Sequence, residues 1–169
     1  VIPSGCSLLF EQNSTFISHG KITAVGMAAS PIEISATEES WGGFLLSGVK
    51  ETSLFEHVIF SKTAGINKGP NSKEIDRSGW TTTGGVTVHE SLVTFSNCRF
   101  EHSFSEDALN VISSNFKIID CFFENLPSDG FDGDFVSGIV DNCFFSNIDG
   151  DGIDFSGSRV KVSGCQFIN

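Results

Sequence analysis

The chemistry this sequence could perform rests on two rows of acidic and amide side chains. Asp107, Asp129 and Asp151 recur at intervals of 22 residues, and so do Asn110, Asp132 and Asp154. They fall in short motifs, Ser-Asp-Gly-Phe-Asp over 128–132 and Gly-Asp-Gly-Ile-Asp over 150–154. Carboxylates repeated in register repel one another, and some of their pKa values should rise. Three readings stay open. In the first, Asp-Gly opens a tight turn and the side chain caps the local backbone. In the second, Asp129, Asp132, Asp151 and Asp154 supply hard oxygen ligands to a calcium ion, which takes 6–8 oxygens and relieves the repulsion. In the third, the paired carboxylates act as acid and base on a glycosidic bond.

The elements that position these rows follow from the repeat. Cys98, Cys121, Cys143 and Cys165 are spaced by 23, 22 and 22 residues. Phe100, Phe123, Phe145 and Phe167 keep that spacing, as do His102, Asn125, Asn147 and Asn169. Within each repeat the apolar residues alternate with period two, as in Leu109/Val111, Phe116/Ile118 and Cys121/Phe123. Alternation of this kind marks short strands with one buried face. Three such strands per repeat make a triangular coil, and coils stack at ~4.8 Å into parallel sheets with aligned ladders. The expected fold is all-β, a right-handed parallel β-helix solenoid of about seven coils with about 22 residues each. Phe131 and Ile153 should point inward, which turns Asp132 and Asp154 outward with Asn110 beside them.

The pattern resembles the right-handed parallel β-helix repeat proteins of the pectin-lyase-like superfamily, in particular the secreted and surface proteins of bacteria. Its carriers are Cys-Phe-Phe-Glu-Asn (121–125), Cys-Phe-Phe-Ser-Asn (143–147), Asp-Gly-Phe-Asp (129–132) and Asp-Gly-Ile-Asp (151–154). The resemblance is strong over 85–169 and weaker over the front. The last two motifs are also somewhat similar to the Asn-Thr-Asp-Gly-Ile-Asp signature of polygalacturonase-type glycoside hydrolases. Under that resemblance Asp129, Asp132, Asp151 and Asp154 are acid/base candidates, with Arg159 and Lys161 of Arg-Val-Lys as substrate contacts. Two departures weaken it: no Gly-His-Gly occurs, and Arg159-Val-Lys161 falls within the same coil as Asp154. The resemblance implies an extracellular or cell-surface location and a polysaccharide partner.

The whole chain, 1–169, reads as one domain, with opening coils over 1–61, an inserted loop over 62–84 and regular repeats over 85–169. Val58 and Phe60 take the places of Cys98 and Phe100 after a step of 40, so the excess falls in the loop. That loop holds Lys62, Lys68, Lys73 and Arg77 against Glu74 and Asp76, along with Trp80, and is either a recognition element or a decoration. The cysteines form an inward column of free thiols, because parallel Cβ vectors do not suit a disulfide dihedral. Asn125, Asn147 and Asn169 form an internal amide ladder, each donating to one neighbour and accepting from the other, and His102 ends that column.

Composition narrows the function further. The net charge is -11, yet residues 101–158 hold 12 acidic residues and one basic residue, Lys117, while the rest carries 9 of each sign. So acidic a block excludes a phosphate-backbone binder, which works through Lys and Arg. No apolar run approaches the ~20 residues of a membrane-spanning helix, so membrane insertion is excluded as well. The last residue, Asn169, falls on a ladder position, and the expectation is a longer natural chain or another protein chain covering this open end. The favoured expectation is a non-catalytic structural or binding module with the acidic face as its interaction surface. The alternative is a polysaccharide hydrolase or lyase.

Overall fold

In the computed structural model, the residues described are 1–66 and 82–168. The inserted loop expected over 62–84 falls mostly outside them, with Lys68, Lys73, Glu74, Asp76, Arg77 and Trp80, and so does Asn169. The chain winds through three parallel sheets in strict rotation. Sheet I holds β1 (Ser7–Phe10), β4 (Ile32–Ala36), β7 (Val58–Ser61), β10 (Arg99–Glu101), β13 (Phe122–Leu126), β16 (Phe144–Ile148) and β19 (Gln166–Ile168). Sheet II holds β2 (Thr15–Ser18), β5 (Gly43–Ser47), β8 (Gly84–His89), β11 (Asp107–Ile112), β14 (Asp129–Asp134) and β17 (Ile153–Ser156). Sheet III holds β3 (Thr23–Val25), β6 (Ser53–Glu56), β9 (Leu92–Ser96), β12 (Asn115–Ile119), β15 (Ser137–Asp141) and β18 (Arg159–Ser163). This makes six three-strand coils and a final strand, a little under the seven expected. The shortfall arises at the front, where Ser7 pairs with Glu33, 26 residues away, so the opening coils are longer than the later ones.

Register follows the ladders. Phe60 pairs with Phe100, Phe100 with Phe123, Phe123 with Phe145 and Phe145 with Phe167. Their rings stack at centroid distances of 5.3, 4.8, 4.7 and 4.7 Å and lie within 10° of parallel. Parallel in-register pairing dictates this, because equivalent side chains are displaced by one strand spacing, which is an offset-stacking distance. Phe44, Phe55, Phe95 and Phe131 fill the interior from the other two sheets. Cys98, Cys121 and Cys143 are buried free thiols, and Cys165 is a half-buried one. Each donates its S–H to the carbonyl two residues earlier, at 3.3–3.4 Å. Burial, foremost, pushes the Cys121 thiol up, and contact with Cys121 followed by burial does the same for Cys143.

The corners explain the remaining columns. Asn97, Asp120, Asn142 and Gly164 have φ of 52–66°. Glu90, Ser113, Phe135 and Gly157 occupy the same region at the next corner, and His102, Asn125 and Asn147 at the third. Left-handed backbone turns each corner, which suits Gly and Asn best. This corrects the reading of the Asn column as internal. Asn125 and Asn147 are exposed, with φ of 57° and 52°. Their amides do bond, Asn147 Nδ2 to Asn125 Oδ1 at 2.8 Å, but on the outside of the corner. The left-handed residue throws its side chain out, and the next residue, Leu126 or Ile148, turns inward instead.

Candidate functional site

Sheet II carries the acid rows on its outer face. One row runs in register from Leu45 through Thr87, Asn110 and Asp132 to Asp154. Its upper members are buried although they face outward: Leu45, Thr87 and Asn110 are 3%, 0% and 1% exposed. Ile66, also buried, packs with Leu45 and Ile17 on this outer surface. Asp132 is half-buried and Asp154 exposed. The second row pairs Asp107 with Asp129. Asp107 is 3% exposed, Asp129 half-buried and Asp151 exposed.

Each acid has a different occupation. Asp129 Oδ1 accepts the Asp151 N–H at 2.8 Å, so it caps the backbone of the next coil. Gly150 makes room for this, since a Cβ there would lie 2.0 Å from the same oxygen. Asp132 Oδ2 accepts from Asn110 Nδ2 at 2.7 Å. That bond fixes the Asn110 amide, and its Oδ1 is left buried with no donor among the described residues. Asp107 Oδ2 is likewise buried with no donor. Buried acceptors without partners are uncommon and ask for a donor or a cation.

Burial, above all, raises the Asp107 carboxyl to about 7. A hydrogen bond with Thr83 opposes this, while Asp132, Glu106 and Asp129 add to it. Asp132 is raised to about 6, again first by burial and then by Asp134 and Asp154. Asn110 and the Gly133 backbone hold it down. The expected rise is therefore found on these two acids, with desolvation ahead of repulsion as its cause.

The structure gathers Asp107, Asn110, Asp129, Asp132 and Asp154 on one face. Arg159 and Lys161 lie elsewhere. They are exposed on β18 of sheet III, in register with Ser137 and Ile139. Among the described residues, no three His, Cys, Asp or Glu side chains converge closely enough to hold a metal ion. In the sequence Asp107 and Asn110 stand only beside the candidate site. Their position in the 22-residue columns was visible, but their burial was not.

With three parallel sheets and this register in place, comparison with known families is decisive for the fold. The family described as right handed beta helix region matches residues 42–169. The chain belongs to the right-handed β-helix family. No curated protein and no solved structure matches it. Membership accounts for the hand of the coil, which parallel crossovers favour on steric grounds. A β-helix of this kind offers long flat outer faces on which chemistry is set by side-chain columns rather than by the fold.

Proposed function

We propose that this β-helix is a non-catalytic structural and binding module, working outside the cell or at its surface, whose interaction surface is the acidic outer face of sheet II. The observation that carries the reading is the pair of buried acceptors beside Asp132, Asp107 Oδ2 and Asn110 Oδ1, which have no donor among the described residues. A calcium ion supplies what these oxygens lack, and carboxylate and amide oxygens are its preferred ligands. Asp129, Asp151 and Asp154 of the next rungs add charge to the same face. The Asp129 cap on Asp151 and the placement of Arg159 and Lys161 on another sheet argue against the full catalytic set. Polysaccharide or protein is the partner class for such a face.

A second reading has its own observation. Asp107, raised to about 7, keeps a proton near neutral pH as a general acid would, while Asp132, raised to about 6, is mostly ionised there and can serve as the base. A polysaccharide hydrolase or lyase would use this pair.

Two measurements separate the readings. Thermal unfolding in millimolar CaCl₂ against chelator is expected to raise the midpoint by several degrees, an effect lost in Asp132→Asn. No shift removes the cation. Incubation with neutral and acidic polysaccharides, with and without calcium, is expected to give no cleavage. Turnover abolished by both Asp107→Asn and Asp132→Asn would make the chain an enzyme.

A further inference from the structure

The corner between sheets I and II bears a second surface, beside the acid rows but distinct from them. A cleft of about 300 Å³ opens there over Leu126. Its walls are His102, Phe104, Asn125, Pro127, Asn147 and Asp149. Phe104 is 55% exposed. Leaving so much apolar surface in water is costly, and a loosely held ring would fold back onto its neighbours.

Phe104 is held out by a buried frame. Its flanks, Ser103 and Ser105, are 3% and 7% exposed. Ser103 Oγ lies 2.7 Å from Thr63 Oγ1, and Ser105 Oγ donates to the Asp107 carbonyl at 2.6 Å. The Phe104 N–H donates to the Thr63 carbonyl at 2.6 Å. Gly85 keeps this space open, since a Cβ there would sit 2.0 Å from Thr63 Oγ1. The backbone that carries the ring is thus fixed before any ligand arrives, and preorganisation of this kind favours affinity.

The polar wall is equally ordered. Asn147 Nδ2 is spent on Asn125 Oδ1. The remaining atoms are the Asn125 amide nitrogen, a donor, and the Asn147 amide oxygen, an acceptor. Neither has a further partner among the described residues. His102 stands one coil above, held at φ 52° where Asn takes the later positions.

We propose that this cleft binds an uncharged sugar unit, stacked on Phe104 and hydrogen-bonded by Asn125, Asn147 and His102. A sugar ring has an apolar C–H face and a rim of hydroxyls that both donate and accept. The cleft offers one aromatic face and alternating donors and acceptors, a few placed polar groups on a mainly apolar wall. Charge selects against an acidic sugar. No Lys or Arg lines the cleft, its acidic residue is Asp149, and the surrounding block holds the chain's whole charge excess. The inference rests on the reading of the chain as a binding module and adds to the acid face a second site with its own ligand class.

The test is calorimetric titration of the full chain with neutral hexasaccharides: β-1,4-glucan, α-1,4-glucan, β-1,3-glucan, β-1,4-xylan and β-1,4-mannan. Trigalacturonate is the charged control. At least one neutral probe should bind, and trigalacturonate should not. Phe104→Ala should weaken binding about tenfold, since loss of one ring stack is worth roughly a kcal/mol. Phe104→Trp should retain it, and Asn147→Ala should weaken it several-fold. Phe104 is exposed, so its variants should melt with the parent, whereas Asn147 has φ 52°, where Ala is strained, so a destabilised Asn147→Ala is replaced by Asn147→Gly. No binding to any neutral probe, or binding that Phe104→Ala leaves intact, overturns the inference. Binding lost in Asp132→Asn but kept in Phe104→Ala overturns it too, while leaving the binding module in place at the acid face.

Discussion

Asp107 and Asp132 show how a fold can set the proton affinity of a surface carboxylate. Both face outward from sheet II, yet both lose water, and this loss is the first cause of their shifts. The sign of the consequence is fixed by linkage. Asp107 rises from 3.8 to about 7 on folding, so between those values the folded chain holds a proton that the unfolded chain releases. The stability this contributes is complete below the unfolded value and is lost as pH rises through about 7. Asp132 loses its share earlier, near about 6. In chelator, the unfolding midpoint is therefore expected to fall by several degrees between pH 5 and pH 8. Asp107→Asn copies the protonated acid in shape and cannot ionise, so it should match the parent at pH 5 and melt above it at pH 8. Thermal melts of both chains at the two pH values check this. A variant no more stable than the parent at pH 8 would contradict a buried, ionisable Asp107.

At the scale of the element, the Phe-Phe pairs of sheet I separate burial from composition. Phe123 is 0% exposed and stacked between Phe100 and Phe145, whereas Phe122 is 38% exposed on the outer face with Arg99 over its ring. Phe123→Ala should cost about 3–5 kcal/mol through lost transfer energy and the cavity left behind. Phe122→Ala should cost about 1 kcal/mol, chiefly the cation–π contact. Urea unfolding of the two variants measures the difference, and equal losses would contradict the register. The alternation that separates these two rings is readable from residues 121–125 alone, and the outward turn of Asp132 and Asp154 from their neighbours Phe131 and Ile153. The corners were not readable in this way. The repeat of Asn125 and Asn147 is plain in the sequence, but it has two causes, an internal amide ladder or a left-handed backbone, and spacing serves both. Their φ of 57° and 52° decides for the second. Nor could the sequence place Asp107 and Asn110 in a dry environment. What covers the outer face of sheet II includes Ile66, which is remote in sequence and belongs to no repeat column. The cleft beside Phe104 was hidden for the same reason, because Thr63 holds Ser103, next to that ring, across a step of 40 residues.

For the whole molecule, the balance lies between strand edges and charge. Among the described residues, β17, β18 and β19 are each paired on one side. The last coil also exposes Phe167 at 55% and Ile168 at 51%, beside a cleft that includes Phe145, Ile148 and Gly152. An open edge with apolar side chains is a template for another strand. Against this stand Asp134, Asp141, Asp149, Asp151 and Asp154, which sit on the same two coils and repel their copies. Repulsion between exposed charges reaches about 30 Å at 0.01 M salt and about 3 Å at 1 M, whereas apolar contact and backbone pairing do not weaken with salt. Self-association of the chain should therefore grow with ionic strength, the opposite of an assembly held by ion pairs. Sedimentation velocity should find monomer at about 0.01 M sodium chloride and dimer or larger species at about 1 M. Ile168→Glu, which puts a charge on the edge and adds to the repulsion, should keep the chain monomeric at both. A parent chain that stays monomeric at high salt would mean that the edge is not sticky. A chain that associates only at low salt would mean that ionic contacts, rather than the strand edge, hold the copies together.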